Sequence, residues 1–142
     1  MGKKGMQHVF VRGALCAASI LFVGSAQAEP VVVVAGAKSP AGSLSKDQAS
    51  DIFMGKATNL TPVDQPESSP LRDEFYSKVT GKSAAQARAY WSKLAFTGKG
   101  TPPKECQSSA DIKKQLADNP NLLGYIEKSA VDGSVKVLYS AQ

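Results

Sequence analysis

Four consecutive valines, Val31-Val32-Val33-Val34, followed by Ala35-Gly36, constrain the fold of this chain more than any other stretch. β-Branched side chains favour strands, and a strand apolar on both faces must be covered on both. The run reads as a strand in the middle of a sheet with helices on either side. Helix and strand patterns then alternate. Ser45 with Gln48 fits a capping box, Ala49, Ile52 and Phe53 form one apolar stripe, and Gly55 stops the helix. Thr61 to Asp64 reads as a short strand, and Leu71, Phe75 and Val79 recur at the spacing of a helical face. Gly81 breaks that pattern. Ser83 with Gln86 opens a helix carrying Ala84, Ala87, Trp91 and Leu94 on one face, flanked by Tyr90 and Phe96, and its spacing makes Trp91 a core residue. Lys104 to Gln107 reads as a short strand, and Ser108 or Ser109 caps a helix through Ala117 with Ile112 and Leu116 inward. Leu122 to Ile126 and Val135 to Tyr139 are the last strands, separated by a tight turn at Asp132-Gly133. The sum is an α/β fold with a mixed central sheet flanked by helices.

Residues 1–28 read as a signal peptide. Lys3, Lys4 and Arg12 precede an apolar run from Ala14 to Val23, and Ala26-Gln27-Ala28 offers a cleavage site. The run is shorter than the roughly 20 residues a membrane span needs. Cleavage after Ala28 leaves residues 29–142 as one exported domain, periplasmic in a cell with two membranes. The charge of +5 then falls to +2, because Lys3, Lys4 and Arg12 depart with the leader. That balance, without a basic run, argues against nucleic acid as a partner. His8, the single histidine, is lost too. A Ser-His or Cys-His nucleophile and a His-ligated metal are thereby excluded from the exported chain, which points away from an enzyme. Cys16 leaves as well, so Cys106 has no internal disulfide partner and reads as a buried thiol.

Gln65-Pro66-Glu67-Ser68-Ser69-Pro70-Leu71-Arg72 carries the chemistry. Ser69 is placed as an N-cap with Pro70 at the first helical position, where its missing N–H costs nothing. A helix start with free N–H groups, the hydroxyls of Ser68 and Ser69 and the guanidinium of Arg72 within reach is a recipe for holding an oxyanion. The competing reading is an ordinary cap, with Glu67, Asp73 and Glu74 making the turn acidic. Thr97 to Pro103 is a glycine-containing turn that lacks the spacing of a P-loop.

Ile52-Phe53-Met54-Gly55-Lys56, Ser69-Pro70-Leu71-Arg72-Asp73-Glu74-Phe75, the run from Tyr90 to Pro103, and Leu123-Gly124-Tyr125-Ile126 occur in that order. This set resembles the short phosphate ABC transporter substrate-binding-like proteins of the type II periplasmic binding protein superfamily. The resemblance implies one lobe of a fold whose full-length members close two lobes on an anion. In those relatives a serine-glycine-threonine at a helix start holds phosphate, and Ser68-Ser69-Pro70 occupies the similar place. Pro70 removes one donor, and Gln65 stands where short relatives often have arginine. The loop from Lys38 to Leu44 resembles the other ligand-facing turn and adds Ser43. The implied ligand-binding set is Ser43, Ser68, Ser69, Leu71 and Arg72, with no cofactor and no metal. The implied function is non-enzymatic binding of phosphate or a similar oxyanion, with a membrane transporter or sensor as a possible partner. The alternative is an envelope accessory protein that contacts a sensor, a transporter or another copy of itself. A single lobe supplies only half of the cage that replaces the anion's water.

Overall fold

The computed structural model describes residues 30–141, so the leader and its cleavage site lie outside the described residues. Strand β1 (Val31–Gly36) lies between β4 (Leu122–Glu127) and β5 (Val135–Ala141), antiparallel to both. β2 (Thr61–Asp64) and β3 (Lys104–Glu105) complete a five-stranded sheet in the order β3-β2-β4-β1-β5. β3 runs parallel to β2, and β2 parallel to β4. The sheet is therefore mixed, and β1 is an interior strand as its four valines require.

Alternate valines feed two separate cores. Val31 and Val33 face a cluster with Phe53, Phe75, Tyr76, Leu123 and Tyr125, while Val32 and Val34 face Val63, Ile112, Leu116 and Ile126. The first face is covered by α1 (Lys46–Phe53), α2 (Pro70–Phe75) and the π-helical turn Tyr76–Thr80, with Ala87 of α3 (Ala84–Phe96) reaching the same core. The second is covered by α4 (Ser109–Asp118). Ser45 and Ser83 each form the expected capping box, and Gly55 and Gly81 follow their helices at φ 77° and 73°. Trp91 packs in the interior and donates its indole N–H to Phe53 O, as Tyr90 donates its hydroxyl to Met54 O. The two aromatic donors thus satisfy carbonyls that the end of α1 leaves free.

Several boundaries differ from the sequence reading. The helix begun at Pro70 changes to π geometry at Tyr76, β3 stops at Glu105, and β5 runs on to Ala141. A 3-10 turn, Lys128–Ala130, precedes the Asp132-Gly133 turn. β5 does not alternate cleanly because its pairing with β1 shifts between Val33 and Val34, which moves Leu138 inward. Phe96, flanking the apolar face at the end of α3, is 93% exposed. No helix among the described residues is long and apolar enough to cross a membrane.

Candidate functional site

β2, β3 and β4 all point their C-terminal ends the same way, ending at Asp64, Glu105 and Glu127. Ligands of open α/β sheets bind beyond such ends. A surface cavity of about 830 Å³ lies there, between the start of α2 and the start of α4. Ser68, Ser69 and Leu71 line one side, Ser108, Ser109 and Ala110 the other, with Gln65 between them. The chain writes the same local phrase twice, a strand, then a serine pair, then a helix. Sequence reading recognised the second pair only as a cap.

The two helix starts differ in what they leave free. At α2, Ser69 N–H donates to Pro66 O, Pro70 has none, Leu71 N–H donates to Ser69 Oγ, and Arg72 N–H to Ser69 O. The expected supply of free amides there is thus corrected, because the turn before Pro70 and the cap consume them. At α4, Ser108 Oγ accepts from Asp111 N–H and Ser108 O from Ile112 N–H. Among the described residues, the amides of Ser109 and Ala110 in that first turn have no partner. The longer helix therefore supplies the backbone donors and the shorter one the hydroxyls.

Ser68 is exposed and Ser69 half-buried, so neither hydroxyl is sealed beneath other side chains. Glu67 pairs with Arg88 at 3.3 Å. Glu74 and Glu127 do line the cavity. Glu74 lies 3.5 Å from Lys78, and Glu127 accepts the Ser109 hydroxyl at 2.5 Å. Arg72 does not line the cavity: its guanidinium donates to Gln65 O at 3.0 Å and to Glu105 at 3.2 Å and approaches Asp64 at 3.7 Å. Ser43 sits exposed in the loop before α1 and does not line the cavity either.

Behind the cavity lies a polar cluster that sequence reading missed. Asp64 is 2% exposed and accepts hydrogen bonds from the hydroxyls of Tyr125 and Tyr76 and from Gln65 N–H. Burial pushes its carboxyl above the ordinary value of 3.8, against the opposite pull of Tyr125, Tyr76, Arg72 and Gln65 N–H. Burial and the facing carboxylate raise both tyrosines, which remain protonated donors. Gln65, equally buried, sends its side-chain amide to Ser109 Oγ at 3.0 Å and Tyr125 O at 3.1 Å. Gln65 thus ties the two cavity walls together. Nothing in the local sequence joins Asp64 to Tyr125, which lies 61 residues away.

Solved structures share this architecture. A Clostridium perfringens protein described as a phosphate ABC transporter substrate-binding protein, solved with bound phosphate, matches with a TM-score of 0.63 and 25% identity, over 78% of this chain and 44% of its own. The chain has the fold of one lobe of such a protein. An ABC-type phosphate transport receptor from Vibrio cholerae matches with a TM-score of 0.61 and 21% identity, over 78% of this chain and 45% of its own. PstS from Borrelia burgdorferi matches at 0.58 and 11%, over 78% and 46%. The chain therefore spans less than half the length of these proteins. No protein-family model and no curated protein matches the sequence.

Proposed function

We propose that this protein is an exported, non-enzymatic module that binds phosphate or a similar oxyanion in the cavity between α2 and α4. The observation that carries the reading is the pairing of two serine-led helix starts around one cavity at the carboxyl ends of the parallel strands. The likeness to a substrate-binding protein solved with phosphate supports the choice of ligand. In this reading the hydroxyls of Ser68 and Ser69 donate from one wall and the amides of Ser109 and Ala110 from the other. Leu71 lines the mouth with its N–H already given to Ser69 Oγ, and Arg72 acts from behind by holding Gln65 O. Glu74 and Glu127 favour an anion that brings its own proton, because a bare dianion meets two like charges. An open cavity that leaves the anion half hydrated gives weak binding.

The reading places residues 1–28 as a leader removed near Ala28 and the exported domain in the periplasm, where a membrane transporter or sensor is the partner it would serve. Calorimetric titration of the purified protein with phosphate, arsenate and sulfate tests it. Saturable heat at millimolar phosphate, weaker for sulfate, is expected. No heat and no thermal shift with any of the three overturns the ligand assignment and leaves the envelope-accessory alternative.

A further inference from the structure

A second cavity, of about 450 Å³, lies beside the opposite ends of β2 and β3, where Thr61 and Lys104 begin their strands. Its walls include Trp91 and Leu94 of α3, Leu60 and the Pro102-Pro103 pair. Trp91 is held there: a Cβ added at Gly100 would come within 3.1 Å of its ring, and one at Gly55 within 2.6 Å. Apolar walls of this rigidity suit a bulky side chain from outside.

Charge decides what kind of partner brings it. Lys99 and Lys104 line the cavity, and no acidic side chain does. Both lysines are exposed, and neither enters an ion pair among the described residues. The cavity also borders β3, a two-residue strand at the edge of the sheet that among the described residues pairs only with β2. An edge strand offers backbone groups to an extended segment.

We propose that this groove docks an extended acidic segment of another protein, with a bulky apolar side chain seated against Trp91 and Leu94 and carboxylates meeting Lys99 and Lys104. It lies at the other end of the strands from the oxyanion cavity, so the two readings stand or fall separately.

Trp91 is the only tryptophan in the chain, so its fluorescence reports the groove directly. The purified protein is titrated with short peptides built around one fixed Leu-Phe pair, their flanks running from strongly acidic to strongly basic. A saturable change with the acidic peptides below about 1 mM is expected, with the basic ones inert. Lys99→Glu combined with Lys104→Glu, both on the surface, weakens the acidic peptides by about tenfold or more and leaves the unfolding temperature unchanged. No saturable change with any acidic peptide overturns the proposal, as does an equal response to basic ones. A concentration-dependent Trp91 signal without peptide, together with a dimer mass by light scattering, would assign the groove to a second copy and overturn it too.

Discussion

Truncating Asp64 to alanine leaves the hydroxyls of Tyr76 and Tyr125 and the Gln65 N–H without their shared acceptor, inside the protein where water cannot replace it. Breaking a buried charged network of this kind costs about 3–5 kcal/mol, and urea unfolding of Asp64→Ala measures it. The same residue makes a pH prediction with a definite sign. Its folded pKa lies above the unfolded value, so the folded chain holds the proton more tightly. Stability from that proton is complete below the unfolded value and is lost as pH rises through the folded one. The stability of the natural protein relative to Asp64→Asn therefore falls as pH climbs above 3.8, measured by chemical unfolding across a pH series. A relative stability that rises over that range contradicts the burial-driven shift. If the oxyanion reading holds, Glu127→Gln removes a like charge lining the cavity and tightens phosphate binding by up to about tenfold in calorimetry.

α4 owes its place to two glycines. A Cβ at Gly36 would come 2.4 Å from the backbone oxygen of Leu116, and one at Gly124 would come 2.7 Å from Ile112 Cγ2. Gly36→Ala must push the α4 backbone off the sheet, at about 1–3 kcal/mol, read as a lowered unfolding temperature. If the oxyanion reading holds, it also weakens phosphate binding, because Ser109 and Ala110 move with the helix. Elements of this kind were legible where the signal is local. The Ser45 and Ser83 capping boxes, the Ser69-Pro70 start and the valine strand all follow from neighbouring residues. What stayed hidden depends on residues far apart in the chain. The bulge that turns Leu138 inward depends on β1, and the use of the α2 amides depends on the fold of the turn before it. The opposing wall at Ser108-Ser109 became part of a site only when β2, β3 and β4 were aligned.

Across the whole molecule, the parallel strands separate two surfaces: the serine-lined cavity at their carboxyl ends and the lysine-edged groove at their beginnings. The sheet between them is rigid by construction, with Val31 to Val34 at most 2% exposed and aromatic rings of Phe53, Phe75 and Tyr125 in mutual contact on one face. A ligand in the cavity therefore perturbs its own rim and little else. Backbone amide NMR during a phosphate titration tests that directly. Saturable shifts confined to residues 68–72 and 108–111 are the predicted result. Unchanged spectra, or shifts gathered around Lys99 and Lys104 instead, would contradict an oxyanion site between α2 and α4.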